Sequence, residues 1–287
     1  MTFRPSFNCL WCGRPHQTRT QEDIEGYALL CPECVGRAQD NEFLRFRLRQ
    51  GLQARAAVSH PADPEADLRG YYAAIADEYD DWYASSGRYS RPAIESAAFA
   101  AELDVATLWL DRLPLGGEIV ELAAGTGWWS PLLAQKGQLW LYDAVEEPLE
   151  RARQRLLAHN LAAHIHVRDA WQPADRQVDA LFTGFWLVHV PRRRLAEFCT
   201  IARGWLKPGG TYAFIDEPAA GSEASVGERP DADIALRTVG DREFHLPEAH
   251  HPPAELEAAL RGAGFANVEM TTTGRYFLLG QAQVSTE

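Results

Sequence analysis

The strongest constraint on the fold is an alternation of apolar, strand-like segments with helical segments that begins at Gly117. Such alternation is typical of a parallel sheet covered by helices on both faces. The sequence therefore predicts an α/β fold. The predicted strands are 118–123, 138–142, 164–168, 178–185, 211–215, 266–273 and 275–283, and the predicted helices are 128–136, 146–159, 192–206 and 253–263.

The segments outside this alternation suggest a division into domains. Residues 1–57 are rich in cysteine and arginine, and residues 58–66 contain prolines and polar side chains typical of a linker. The main domain is predicted to span 67–287 and to begin with a helical cap, formed by helices near 68–83 and 92–113. A polar stretch at 218–242 is predicted to be an insertion or lid.

Four of the five cysteines form two closely spaced pairs near the start of the chain. Cys9 and Cys12 form one CxxC motif, and Cys31 and Cys34 form a second. The 18 residues between the two motifs give a spacing typical of zinc ribbons. Four thiolates complete a tetrahedral site with no open position, so the predicted zinc ion is structural. Two disulfides are the alternative, which a reducing compartment disfavours. The fifth cysteine, Cys199, is predicted to be a buried core thiol.

The charge balance narrows the choice of partners. The chain has 28 basic and 40 acidic residues, a net charge of -12, which argues against general attraction to nucleic acid. The longest apolar stretch, at 180–190, is interrupted by polar residues and is too short to cross a bilayer. No N-terminal segment has the pattern of a cleavable signal. A cytoplasmic enzyme without membrane association is expected.

A glycine-rich motif, ELAAGTG at residues 121–127, follows the first strand of the alternating region. Glycines at such a turn let the backbone approach a ligand, and the next helix offers unpaired N–H groups. A nicotinamide cofactor would require a third glycine where Ser130 stands. The next strand ends in Asp143, 18 residues beyond Gly125, where a carboxylate can accept hydrogen bonds from ribose hydroxyls. This acid is compatible with either type of adenosine cofactor.

Five motifs then occur in a fixed order along the chain. They are ELAAGTG, LYDA at 141–144, RDA at 168–170, VDALFTGFW at 178–186 and LKPGGTYAFID at 206–216. In this combination, over about residues 70–285, the chain resembles the class I S-adenosylmethionine-dependent methyltransferases. The resemblance implies a Rossmann-like, seven-stranded, mostly parallel sheet whose last strand is antiparallel. It also implies S-adenosylmethionine (SAM) as cofactor, S-adenosylhomocysteine (SAH) as product, and a binding site across the carboxyl ends of the first strands.

The resemblance assigns roles to residues by position. Glu121 would lie near the methionine amino group of the cofactor, Asp143 would bind the ribose, and Asp169 would accept a hydrogen bond from the adenine amino group. Arg88 or Tyr89, in a segment that resembles the cap of small-molecule methyltransferases, would meet the cofactor carboxylate. The remaining residues implied to contact the cofactor are Ala123, Gly125, Gly127, Ala170 and Trp171, of which Trp171 would cover the base.

Three residues that follow the fourth and fifth strands are candidates for the acceptor side. His189 is placed at the ligand crevice, and its titration near neutrality suits a general base, although packing or cofactor orientation is an equally good explanation. Asp216 and Glu217 are predicted to bind a cationic acceptor, to cap a turn or to face solvent.

The predicted function is SAM-dependent methyl transfer to a small-molecule acceptor. One alternative is an RNA-modifying methyltransferase that recognises nucleic acid through the zinc ribbon. Another is a non-catalytic protein that senses SAM or forms zinc-mediated interactions. The sequence predicts the methyl donor better than the acceptor, because acceptor pockets are built from variable loops.

Overall fold

A computed structural model describes residues 6–9, 14–17, 63–219 and 234–285. The chain divides into two compact units, residues 1–62 and 63–287. In the first unit, strand β1 (Ser6–Asn8) pairs antiparallel with strand β2 (Pro15–Gln17). The amide of Cys9 donates to the carbonyl of Arg14 over 2.9 Å and closes this hairpin.

The second unit begins with helix α1 (Pro64–Ile75), so residues 64–66, predicted as linker, are already helical. The cause is local, because the Asp63 side chain accepts hydrogen bonds from the amides of Glu65 and Ala66 and caps the helix, with proline at its first position.

The single helix predicted over 68–83 is wrong. Helix α1 ends at Ile75, and a separate short helix, α2 (Asp81–Ala84), follows a series of turns. The carboxylate of Asp80 binds Thr126 Oγ1 over 2.7 Å and forms an ion pair with Arg155. These tertiary contacts hold the turns and outweigh the local helical pattern.

The alternating region has the predicted order of strands and helices. Each predicted element in this region is present, and no end is shifted by more than five residues. The elements are α3 (Ala93–Arg112), β3 (Glu118–Leu122), α4 (Ser130–Lys136), β4 (Gln138–Asp143), α5 (Glu146–Ala158), β5 (His164–Val167), β6 (Val178–Gly184), α6 (Leu195–Gly204) and β7 (Leu206–Asp216).

The polar insertion predicted at 218–242 contains an unpredicted hairpin at its end. Strands β8 (Ile234–Val239) and β9 (Arg242–Pro247) pair antiparallel around Gly240, which has a φ of 58°. A Gly-Asp pair between alternating segments is the sequence signal of a two-residue turn. The amide of His245, in β9, donates to Asp67 of α1 over 2.8 Å.

The chain ends with helix α7 (Pro253–Gly262) and strands β10 (Phe265–Thr272) and β11 (Leu278–Val284). The main sheet has seven strands in the order β10-β11-β7-β6-β3-β4-β5. Within it, β11 pairs antiparallel with both neighbours, whereas β3, β4, β5, β6 and β7 are parallel. This is the predicted Rossmann-like sheet.

Two apolar cores cover the two faces of the sheet. Along β6, Leu181 packs into one core, with Phe198 of α6, and Phe182 into the other, with Phe99 of α3. This alternation is the two-residue period of a strand buried on both faces. None of the helices described here is long and apolar enough to span a lipid bilayer.

Candidate functional site

Two residues with side chains adopt the left-handed conformation where strands of the sheet end. Ala123, just after β3, has a φ of 51°, and Phe185, just after β6, has a φ of 55°. This conformation is rare for such residues and is found disproportionately at ligand sites. Both residues line a cavity at the carboxyl ends of β3, β4 and β6, which is where open α/β sheets bind ligands.

This first cavity encloses about 770 Å³, part of it open to solvent, and helix α1 forms one of its walls. Its lining is mostly apolar, with three carboxylates. The lining residues are Glu65, Leu68, Arg69, Tyr72, Ala76, Tyr79, Ala123, Gly125, Thr126, Asp143, Ala144, Val145, Pro148, Asp169, Ala170, Trp171, Gly184, Phe185, Trp186 and His189.

Asp143, at the end of β4, is held by backbone amides. Its carboxylate accepts hydrogen bonds from the amide of Gly125 over 2.9 Å and from that of Val145 over 2.8 Å. Burial raises the pKa of Asp143 to about 6, although these hydrogen bonds lower it. The carboxylate is therefore fixed in the wall of the first cavity, and its binding of a ribose stays a prediction.

Asp169 lies across the same cavity and bridges two segments. Its Oδ1 accepts from the amide of Trp171 over 2.9 Å, and its Oδ2 lies 3.3 Å from Nη1 of Arg69 on α1. The ring of Trp171 packs against Phe198 and beneath the guanidinium of Arg194, whose carbon is 3.6 Å from the ring centre. Sequence reasoning did not find Arg69 or Arg194, because these contacts join distant segments.

The two glycines of the ELAAGTG motif differ in their surroundings. Gly125 has a φ of 54°, and a Cβ placed on it would meet no atom within 4 Å, so its backbone faces open space in the first cavity. A Cβ on Gly127 would lie 2.6 Å from Cβ of Ala152 in α5. The structure thus places Gly125 at the cavity and Gly127 at a close contact between the motif and α5.

Glu121 is buried beneath the motif and is not part of the cavity wall. Its carboxylate accepts a hydrogen bond from Ser130 Oγ over 2.6 Å, and its side chain is almost completely inaccessible. Burial raises the pKa of Glu121 to about 8, against the effects of Ser130 and Arg155. The described position does not bring Glu121 into direct contact with the first cavity.

A second cavity adjoins the first. Four residues line both cavities: Tyr72, Tyr79, Phe185 and His189. The other residues that line the second cavity are Tyr71, Ile75, Trp82, Tyr89, Val188, Glu217, Arg237, Leu246 and Glu248.

His189 lies at this junction, and both of its ring nitrogens have partners. Nδ1 is 2.7 Å from the carbonyl oxygen of Pro247, and Nε2 is 2.6 Å from Oη of Tyr72. A carbonyl only accepts, so Nδ1 carries the proton, and Nε2 of the neutral ring accepts the hydroxyl proton of Tyr72. Burial lowers the pKa of His189, which keeps the ring neutral near pH 7.

Asp216 and Glu217 differ in their surroundings. The buried carboxylate of Asp216 accepts from the amides of Leu187 over 2.7 Å and Val188 over 3.2 Å, and so fixes the turn that carries His189. Burial raises the pKa of Asp216 to about 7. Glu217 instead lines the second cavity.

Arg88 and Tyr89 do not lie at the first cavity. Nη2 of Arg88 donates to the carbonyl of Thr238 over 3.1 Å, and its Nη1 is 3.6 Å from Glu78. Tyr89 lines the second cavity only. The predicted contact of these residues with a cofactor carboxylate is thus not supported by their positions, because the turn at Gly87–Tyr89 faces the β8-β9 hairpin instead.

Of the four cysteines predicted to bind zinc, the described residues include Cys9, which is buried at the end of β1. Cys12, Cys31 and Cys34 lie outside the described residues. Within the described ranges, no group of three or more histidine, cysteine or acidic side chains is arranged to hold a metal ion.

Comparison with known families supplies the decisive observation. Residues 119–210, from β3 into β7, match the family described as "Methyltransferase domain". This match supports a SAM-dependent methyltransferase domain over these residues. No curated protein sequence matches the chain significantly.

Solved structures share the fold of this methyltransferase domain. The DhpI–SAH complex is 27% identical with a TM-score of 0.62, and the match covers 77% of this chain and 97% of that one. The DhpI–SAM–HEP complex is 27% identical with a TM-score of 0.61, and the match covers 76% of this chain and 97% of that one. The CcbJ methyltransferase from Streptomyces caelestis is similar in fold, with 19% identity and a TM-score of 0.54. This match covers 75% of this chain and 98% of that one.

Proposed function

We propose that the domain transfers a methyl group from SAM to a small molecule, with SAM in the first cavity and the acceptor in the second. The observation that carries this proposal is the junction of the two cavities at Tyr72, Tyr79, Phe185 and His189. A methyl transfer requires donor and acceptor to meet in line and away from water, and adjoining cavities with shared walls provide this geometry.

The first cavity fits an adenosine cofactor. Gly125 leaves room for a ligand at its backbone, Asp143 offers a carboxylate for hydroxyl groups, and Asp169 offers one for an amino group. When bound, SAM supplies an electrophilic sulfonium methyl group. In this proposal Ala170 contributes its amide and Trp171 covers the base, and both line the cavity.

Tyr72 and His189 form a path for the proton that the acceptor loses. An acceptor O–H or N–H that donates to Oη of Tyr72 can pass its proton there while the Tyr72 proton moves to Nε2 of His189. The products of this transfer are a neutral phenol and an imidazolium whose Nδ1–H still donates to the Pro247 carbonyl. His189 therefore acts as base through Tyr72, because Tyr72 occupies Nε2.

We also propose a structural zinc ion bound by Cys9, Cys12, Cys31 and Cys34. Its support is the spacing of the four cysteines and the hairpin at the first pair. Cys9 and Arg14 close this hairpin, and Cys12 falls between them in sequence.

The proposal is tested by following the label from methyl-labelled SAM into a cell extract that is separated into small-molecule, RNA and protein fractions. Label in the small-molecule fraction is expected. Label in RNA would contradict the proposed acceptor class and favour a recognition role for the N-terminal unit. Binding of SAH without label in any fraction would contradict catalysis under these conditions and favour a sensing protein.

A further inference from the structure

We propose that the second cavity binds an acceptor that carries a protonated amine, and that Glu217 is the counter-charge that holds it. This inference rests on the proposed function and adds the chemical class of the acceptor. Three features of the cavity wall carry it: a carboxylate oxygen without a partner, the pairing of the neighbouring cation, and a group of aromatic rings.

Only one of the two carboxylate oxygens of Glu217 accepts a hydrogen bond among the described residues. Its Oε2 accepts from Nε2 of His250 over 2.9 Å, whereas Oε1 has no hydrogen-bond partner among the residues that the structure describes. Burial is the largest effect and opposes ionisation of this group, but the hydrogen bond from His250 and the charges of His250, His189 and Arg237 together outweigh it, and the pKa of Glu217 is lowered. Glu217 is therefore an anion at neutral pH. The same contact raises the pKa of His250, so the histidine shares this charge through Oε2, whereas Oε1 stays available to a second donor.

The permanent positive charge in the wall is already paired. Arg237 is the only arginine or lysine among the described residues that line the second cavity, and it forms an ion pair with Glu248. Its charge is thus compensated without a ligand. An anionic acceptor would have to displace Glu248 to use Arg237, whereas an ammonium group needs no rearrangement to reach Oε1 of Glu217.

Aromatic rings add to the preference for a cation. Tyr72, Tyr79, Trp82 and Tyr89 line the cavity. The faces of such rings are electronegative and attract ammonium groups, and they repel anions. The acidic net charge of the chain acts in the same direction over longer distances.

Glu217 lies close to the residues that are proposed to transfer the proton. The negative charge of Glu217 raises the pKa of Tyr72, Tyr79 and His189. For each residue this effect is smaller than that of burial, which raises the pKa of the tyrosines and lowers that of His189. Such coupling requires that Glu217 lies close to the junction of the cavities. An amine held there keeps the rest of a small acceptor within reach of Tyr72.

The first experiment fractionates the labelled small molecules by charge. Wild-type protein is incubated with methyl-labelled SAM and the small-molecule pool of a cell extract. Unreacted SAM, which is itself a cation, is first separated from the labelled products, and these products are then passed over cation and anion exchangers at pH 5. Label retained by the cation exchanger is expected. Label retained only by the anion exchanger, or by neither column, would overturn the inference. Label in no product at all would contradict the proposed function itself, so the two failures are distinguishable.

The second experiment uses the labelled product to purify its acceptor and compares variants. Glu217→Gln should raise KM for the acceptor about ten- to a hundredfold, as expected for loss of a hydrogen bond between charged groups, and leave SAH affinity unchanged. Glu217→Asp keeps the charge and should recover part of the affinity. Glu257→Gln, in an exposed ion pair with Arg261 on α7, is the control. An unchanged KM in Glu217→Gln would overturn the inference.

Discussion

The hydroxyl oxygen of Tyr72 lies 2.6 Å from Nε2 of His189, although the two residues are 117 positions apart in the chain. Tyr72 is on α1 and His189 on the turn after β6, so their contact joins the helical cap to the sheet. The backbone carbonyl of Pro247 fixes the His189 tautomer from the other side. The cap, the sheet and the β8-β9 hairpin thus meet at one proton path.

The first prediction concerns this path. Tyr72→Phe removes only the hydroxyl and should slow methyl transfer about a hundredfold or more, the usual contribution of general acid-base catalysis, with SAH affinity retained. The rate is measured as label incorporation into the small-molecule product. Tyr276→Phe is the matched control, because the buried hydroxyl of Tyr276 has no hydrogen-bond partner in the described structure.

The same path predicts a pH dependence. Burial holds the pKa of His189 below 6.5, so the neutral, proton-accepting ring persists as the pH falls through 6.5. Wild-type activity should therefore decline only at a lower pH, once Nε2 becomes protonated. Equal rates for wild type and Tyr72→Phe at every pH would exclude Tyr72 from proton transfer.

The second prediction tests the proposed ribose acceptor. Asp143→Ala should weaken SAH binding by about 1 to 3 kcal/mol, the range for a lost hydrogen bond to a charged group, as measured by calorimetry. The exposed Asp104→Ala is the control. Because the pKa of Asp143 is raised to about 6, wild-type affinity should fall as the pH is lowered through that value. Unchanged affinity in the variant would remove Asp143 from the site.

The third prediction separates the two glycines of the motif. Gly125→Ala places a methyl group in the first cavity and should weaken SAH binding, at a stability cost of about 1 to 2 kcal/mol for its left-handed backbone. Gly127→Ala also places a side chain on left-handed backbone, and its added methyl group collides with Ala152. The unfolding free energy of this variant should therefore fall further.

Urea unfolding and calorimetry of both glycine variants distinguish these effects. If Gly125→Ala bound SAH as tightly as wild type, the backbone of Gly125 would not approach the ligand. Equal stability of the two variants would contradict the contact between Gly127 and α5.

The fourth prediction concerns Glu121, whose pKa is raised from 4.5 to about 8. Between these values the folded protein binds a proton that the unfolded chain does not. The unfolding free energy contributed by this group therefore falls with rising pH, by up to about 1.4 kcal/mol per pH unit. Glu121→Gln does not titrate, so its stability relative to wild type should increase from pH 5 to pH 8.5.

Urea unfolding without cofactor at several pH values checks this trend. Glu257→Gln, which changes an exposed carboxylate, should show no comparable trend. A constant difference between Glu121→Gln and wild type across this range would show that Glu121 is ionised in the folded protein.

The fifth prediction concerns the metal. Elemental analysis should find about one zinc per chain, as a single four-ligand site requires, and Cys31→Ser should lose most of it. Cys199→Ala should keep the zinc, because Cys199 lies in the apolar core, where burial raises the pKa of its thiol to about 12. Metal-free protein with all four N-terminal thiols oxidised would contradict the zinc proposal.

Local patterns were sufficient to predict the order of elements from β3 to β7. Strand burial follows a two-residue period and helix burial a longer one, and both are visible in a short window of sequence. Asp143 was predicted from its place at the end of the second strand, because the carboxyl ends of parallel strands meet at one edge of the sheet, whereas Asp169 was predicted from the family resemblance. Asp143 and Asp169 indeed line one cavity.

Contacts between distant segments were not predictable in this way. The helical pattern over 68–83 gave no sign of the break that Asp80 causes through Thr126 and Arg155. Arg88 was predicted to reach the cofactor, and its position beside Thr238 depends on a hairpin that sequence reasoning did not anticipate.

The sequence by itself determined the α/β sheet, its motif order and the positions of Asp143 and Asp169 at strand ends, because each depends on neighbours a few positions away. Only the tertiary structure decided that Tyr72 occupies the basic nitrogen of His189, that Asp216 holds the turn and that Glu217 faces the second cavity. Each of these depends on the packing of elements far apart in the chain, and no local pattern of side chains encodes that packing.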